Sequence, residues 1–230
     1  MDPSVVIVGG GVMGAATACF LARDHGVRAT VIERDPTYAR ASSALSASSI
    51  RQQFSTPLNI HLSRYGIGFL RQASKLLDVD LGLKEPGYLF LASDAGEAVL
   101  RANHAVQKGE GCAVELLDPA ALRGRFPWIS DEGVRLASHG VANEGWFDGP
   151  ALMQAFRRRA IAGGARFIAA DACAFETAGD RVRAVATTDG RRFEADAVVL
   201  AAGAWSAPLA ARLGVALQIG RASCRERVLS

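Results

Sequence analysis

S-V-V-I-V-G-G-G-V-M-G-A-A-T-A-C-F-L-A-R, residues 4–23, decides the fold. Ser4–Val8 is a short β-branched run of the kind buried on both faces of a parallel sheet. Gly9, Gly11 and Gly14 follow at G-x-G-x-x-G spacing. Ala15, Ala18, Cys19 and Ala22 then recur at helical intervals, with side chains small enough for close packing on a sheet. In this context Gly9 makes the tight turn, Gly11 admits a pyrophosphate to the main chain, and Gly14 lets the helix approach the strand. The helix N-terminus offers N–H groups and the positive end of its dipole to a diphosphate. A second strand, Ala29–Ile32, leads to Glu33, nineteen residues beyond Gly14, where a carboxylate accepts hydrogen bonds from ribose hydroxyls. Its charge repels a 2′-phosphate, which disfavours NADP. The βαβ unit alone fits FAD and NAD equally.

Outward from this unit, residues 39–54 read A-R-A-S-S-A-L-S-A-S-S-I-R-Q-Q-F, a hydroxyl-rich loop suited to a second part of a long cofactor. Near the other end, Ala197–Ala202 reads as a buried strand leading into Gly203-Ala204-Trp205. Before it, Phe167–Ile168, Arg181–Thr187 and Arg191–Glu194, separated by Gly179-Asp180 and Asp189-Gly190, predict a β-meander. Residues 55–144 differ in character: a helix over Ile60–Leu77, a strand Tyr88–Ala92, a helix Gly96–Gln107 and a strand Val134–Ser138. Asp148 is placed as a helix N-cap with Pro150 in the first turn.

Four segments together resemble the flavoprotein superfamily of D-amino-acid oxidase, sarcosine oxidase, glycine oxidase and dimethylglycine dehydrogenase. They are V-I-V-G-G-G-V-M-G with E-R-D, A-S-S-A-L-S-A-S-S-I-R-Q, N-E-G-W-F-D-G-P-A-L-M-Q-A-F-R, and D-A-V-V-L-A-A-G-A-W-S, in the family's order. The resemblance implies an α/β fold: a Rossmann-like FAD-binding domain of the glutathione-reductase type, residues 1–54 and 145–218, interleaved with part of an α+β substrate domain, residues 55–144. It implies FAD as cofactor. The implied contacts are Gly9, Gly11, Val12, Met13, Gly14, Glu33 and Arg34, then Ser42, Ser43, Ser48, Ser49 and Arg51, and finally Ala172, Ala202, Gly203 and Trp205. It also implies oxidation of a C–N bond in an amino acid or N-methylated amine, the flavin being reoxidised by oxygen, a quinone or an electron-transfer protein. Catalytic residues stay open, because the flavin carries the chemistry. The alternatives are a non-catalytic assembly factor on the same fold and an NAD-dependent dehydrogenase.

Composition narrows the field further. A chain of 230 residues, 50% hydrophobic and 7% aromatic, can bury a core. Of its +3 formal charge, Arg221, Arg225 and Arg227 against Glu226 supply +2, so no nucleic-acid surface is expected. Cys19, Cys112, Cys173 and Cys224 form no C-x-x-C pair and the four histidines are scattered. No metal site is expected, and the default is a reducing, cytoplasmic compartment. The uncharged run Pro3–Ala22 follows an acidic residue and contains three adjacent glycines, unlike a signal peptide or membrane span. The family pattern breaks off near Leu217, so the chain reads as the amino-terminal part of a longer protein. Residues 219–230 read as a non-native tail that resembles a translated sequencing adapter.

Overall fold

A computed structural model describes residues 3–218; the tail at 219–230 lies outside the described residues. The strands are β1 (Val5–Val8), β2 (Thr30–Glu33), β3 (Ser49–Ile50), β4 (Tyr88–Ala92), β5 (Val114–Leu117), β6 (Leu136–Gly140), β7 (Gly145–Trp146), β8 (Arg166–Ala169), β9 (Ala172–Ala178), β10 (Arg181–Thr187), β11 (Arg192–Glu194) and β12 (Ala197–Leu200). The helices are α1 (Val12–His25), α2 (Pro57–Arg71), α3 (Ala73–Leu77), α4 (Asp94–Gly109), α5 (Pro119–Arg125), α6 (Gly149–Ala162) and α7 (Ser206–Ala211), with a 3-10 turn at Gly203–Trp205.

The chain divides into two compact units: residues 3–46, 77–79 and 149–218, and residues 47–76 and 80–148. The first is built on a parallel sheet in the order β12-β1-β2-β8. Val5–Val8 are buried throughout, as a strand flanked by neighbours on both edges requires. Each such side chain contributes about 1.5–3 kcal/mol relative to exposure. Ion pairs such as Arg191–Asp189 and Arg192–Glu176 are about half exposed, and pairs of that kind contribute about 0–1 kcal/mol each, so apolar burial dominates. Gly14, Ala15, Ala18 and Cys19 form the buried side of α1. Phe20 meets Phe156 of α6 with ring centroids 5.7 Å apart. Gly26, left-handed at φ 68°, closes α1: its N–H donates to the Ala22 carbonyl and the Val27 N–H to the Leu21 carbonyl.

The expected meander needs correction. Phe167 and Ile168 belong to β8, which runs parallel to β2 at the edge of the main sheet. The meander is β9-β10-β11, and its first strand, A-C-A-F-E-T-A, was not anticipated because it lacks a β-branched run. Its inner residues Ala172 and Val185, with Ala195 just beyond β11, share a core with Val6, Val8 and Ile32.

The second unit holds the antiparallel sheet β4-β6-β5 and the two-stranded ribbon β3-β7. Residues 47–54 and 145–148, expected with the nucleotide domain, group here because Ser49 and Ile50 ladder with Trp146 and Gly145. The helix expected over Ile60–Leu77 is interrupted at Gln72, whose N–H donates to the Phe69 carbonyl at 2.9 Å. The later strand lies at Leu136–Gly140, two residues beyond its expected place. The sequence reading also missed β5 and α5. For α5 a signal was present: Asp118 caps the helix by accepting from the Ala121 N–H at 2.8 Å, with Pro119 in the first turn.

The fully buried carboxylate of Glu144 ties this unit together. It accepts from the Gln52 N–H at 2.6 Å, the Gln53 N–H at 3.0 Å and the Gln53 side-chain amide at 2.8 Å. Gly140 leaves room for it, since a Cβ there would stand 1.8 Å from Glu144 Oε2. Burial pushes the Glu144 carboxyl up, against the pull of the Gln52 and Gln53 donors. Glu144→Ala would strand those donors and is expected to lower unfolding free energy by about 3 kcal/mol in a denaturant titration. A raised folded-state pKa contributes stability fully below the ordinary 4.5 and loses it as pH rises through the folded value. The stability of the wild type relative to Glu144→Gln should therefore fall as pH rises from about 4.5 toward the folded value and level off above it.

Candidate functional site: a dinucleotide cleft

In the first unit, β1, β2 and β12 end together, at the point where the chain leaves β1 toward β2 on one side while β12 packs on the other. Open α/β sheets place ligands at such a reversal. A cleft of about 630 Å³ opens there, within the range of about 300–1,000 Å³ common to small-molecule sites.

The glycines differ in what they serve. Gly9 takes φ 100°, and a Cβ there would lie 2.5 Å from the Ala201 carbonyl oxygen. A Cβ at Gly14 would lie 1.9 Å from the Gly9 carbonyl oxygen. Both are demanded by the protein's own backbone. Gly11 is not: its backbone is extended, and nothing lies within 4 Å of where its Cβ would stand. Its bareness serves whatever enters the cleft. Gly11, Val12 and Met13 line that cleft at the start of α1, where no side chain caps the helix and no acidic residue occupies the first turn. Such a cradle, with free N–H groups and the dipole's positive end, fits a diphosphate.

Glu33 stands at the cleft with its carboxylate already oriented. Oε2 accepts from the Gly10 N–H at 2.7 Å and Oε1 from the Asp35 N–H at 2.8 Å. Each oxygen keeps a lone pair for a hydroxyl donor. Arg34 lays its guanidinium 3.9 Å from the centroid of Trp205, and Arg40 approaches the same ring at 5.5 Å. Ser42 and Ser43, Ala172 at the start of β9, and Ala202 and Gly203 beyond β12 complete the expected residues in the lining. Gly14 lies beneath it, against Gly9.

Ser48, Ser49 and Arg51 fall in the second unit. Ser48 is buried at φ 51°, and its carbonyl accepts from the Phe147 N–H at 3.1 Å. Ser49 pairs with Trp146 in the ribbon and borders a hollow of about 260 Å³ with it and Tyr88. The Arg51 guanidinium faces Phe54, Phe90 and Tyr88 at 4.9, 5.0 and 5.9 Å. The sequence reading missed several cleft residues: Asp35, Tyr38, Arg40, Asp171 and Arg212. Of these, Asp35 and Arg40 lie within the E-R-D segment and the 39–54 loop, and Tyr38 ends the D-P-T-Y turn after β2, whereas Asp171 and Arg212 carried no local signal.

A parallel sheet with a bare helix N-terminus and an acid at the end of the second strand defines a dinucleotide-binding protein of the Rossmann-like class. The family described as FAD dependent oxidoreductase matches residues 4–226. The chain belongs to this FAD-dependent family, which resolves the dinucleotide left open by the βαβ unit. It is 40% identical over 242 residues to FAD-dependent oxidoreductase domain-containing protein 1 of Xenopus laevis, covering 92% of this chain and 48% of the relative. It is 31% identical to glycine oxidase of Geobacillus kaustophilus, covering 94% of this chain and 58% of that protein. Among solved structures, L-proline dehydrogenase from P. horikoshii superposes with a TM-score of 0.82 at 26% identity, covering 95% of this chain and 57% of that one. The chain thus spans about half the length of these curated relatives.

Gly14→Ala drives a methyl group into the Gly9 carbonyl, a contact the helix cannot relieve without moving off the sheet. It should destabilise the protein by about 3 kcal/mol, measured by denaturant unfolding.

Proposed function

We propose that this chain binds FAD and forms part of an enzyme that oxidises a C–N bond of an amino acid or N-methylated amine. The bound flavin would supply the oxidising chemistry by taking a hydride from the substrate carbon. The observation that carries the nucleotide half of this reading is Gly11, whose missing side chain answers no need of the protein's own packing and faces the cleft. Glu33 would hold the ribose, and Val12 and Met13 would present their N–H groups to the diphosphate. Arg34, Ser42, Ser43, Ala172, Ala202, Gly203 and Trp205 would form the remaining wall.

The substrate class is supported by likeness to relatives whose names specify glycine and L-proline. The flavin role of Ser48, Ser49 and Arg51 is supported by the family resemblance of their segment. A cytoplasmic location is proposed from the absence of C-x-x-C spacing. No helix among the described residues is long and apolar enough to cross a membrane.

Gly11→Val tests the cradle. The open space at this position leaves the fold intact, with the thermal midpoint within about 3 °C of wild type. FAD affinity should fall about tenfold or more, read from quenching of flavin fluorescence on titration. Unchanged affinity would defeat the reading. In the full-length protein, bleaching of the flavin absorbance by one of a panel of amines and amino acids would support the enzymatic half. A stably flavinylated protein inert to the whole panel would favour a non-catalytic role.

A further inference from the structure

Tyr38 is the anomaly of the cleft. It adopts the left-handed backbone region at φ 58°, which a bulky side chain rarely does, yet its ring is buried to 4% exposure. The preceding turn sets this geometry. The Asp35 carboxylate accepts from the Thr37 N–H at 3.0 Å and its hydroxyl at 2.5 Å, and the Asp35 carbonyl accepts from the Tyr38 N–H at 2.9 Å. Asn or Gly would suit the position with less strain, so the tyrosine side chain must earn its place by what it touches.

Its hydroxyl packs beside Gly10, next to the stem of Glu33. The Tyr38 hydroxyl oxygen lies 3.3 Å from where a Cβ on Gly10 would stand, and Glu33 Cβ lies 3.1 Å from the same point. Gly10 is the residue whose N–H holds Glu33 Oε2. On its far side the Tyr38 hydroxyl faces the positively charged guanidinium of Arg157 on α6, which also packs over Phe167 at 5.2 Å and whose Nε is buried without a hydrogen-bond partner. Burial pushes the phenol up, so Tyr38 stays a neutral hydrogen-bonding group.

Resting on the nucleotide reading above, we infer that Tyr38 and Arg157 are positioning residues for Glu33. The ring wedges beneath Gly10, Arg157 anchors the hydroxyl, and the Glu33 carboxylate is thereby held in the fork of the Gly10 and Asp35 amides, turned toward the ribose hydroxyls. Neither side chain needs to touch the nucleotide for this role.

The test uses this chain with two probes, ADP and 2′,3′-dideoxy-ADP, which lacks the hydroxyls that Glu33 would hold. Binding is measured by calorimetry and stability by thermal unfolding. Tyr38→Phe keeps the ring and removes the anchor. It should weaken ADP by about fivefold while changing dideoxy-ADP by less than about twofold, with the thermal midpoint lowered by about 2–8 °C for the lost buried polar contact. Arg157→Met carries the same expectation should Tyr38→Phe fail to fold, and the double variant should lose no more than either single one. Equal losses on both probes, or none on ADP, would overturn the inference. Glu33→Ala separates the two levels. If it weakens ADP while Tyr38→Phe and Arg157→Met do not, the positioning role fails alone; if it leaves ADP unchanged, the nucleotide reading fails and takes this inference with it.

Discussion

Three stretches of backbone converge at the end of β1, and the close approach that they require constrains the whole site. The Gly9 carbonyl lies against Gly14 of α1, and Gly9 itself lies against Ala201 just beyond β12, at separations that exclude any side chain. The helix that starts there has open space at its N-cap, and Gly11 puts no capping side chain into it. Its first N–H groups are therefore left pointing into the cleft rather than satisfied by the protein. Packing and binding thus share one short segment: Gly9 and Gly14 let the helix approach the sheet, and Gly11 between them leaves its positive end bare.

The electrostatics of the cleft follow from that geometry. An anion is favoured at the start of α1, and Glu33 stands across from it at the end of β2 with both oxygens fixed by backbone amides. One end therefore suits negative charge and the other suits hydroxyl donors. Arg34 and Arg40 flank Trp205 along the wall. A nucleotide carrying a diphosphate and an unmodified ribose matches this order of charges, whereas a 2′-phosphate would meet the Glu33 carboxylate.

Much of this was legible in residues 4–33, because each local signal there agreed with the others. Val5–Val8 could only be a doubly buried strand, the glycine spacing placed the turn, and Glu33 fell at the end of the next strand. Legibility declined where tertiary context overrode local pattern. A-C-A-F-E-T-A forms β9 through its pairing with β10, not through its own propensity. Phe167 and Ile168 join the parallel sheet because β2 offers an edge, a fact no local window contains. Glu144 resembles an ordinary loop acid in sequence; its partners are 91 and 92 residues away. Tyr38 is similar: the turn was readable, but Arg157 on a distant helix was not.

The central claim is that the backbone from Gly9 to Gly14 receives a diphosphate while Glu33 receives the sugar. The most direct measurement is a nitrogen–proton NMR titration of this chain with ADP. The account predicts that the amide signals of Gly10 to Gly14 and of Asp35 move together along one saturable curve, while those of the β4-β6-β5 sheet stay in place. Saturable binding that leaves the Gly10–Gly14 amides unmoved would contradict it.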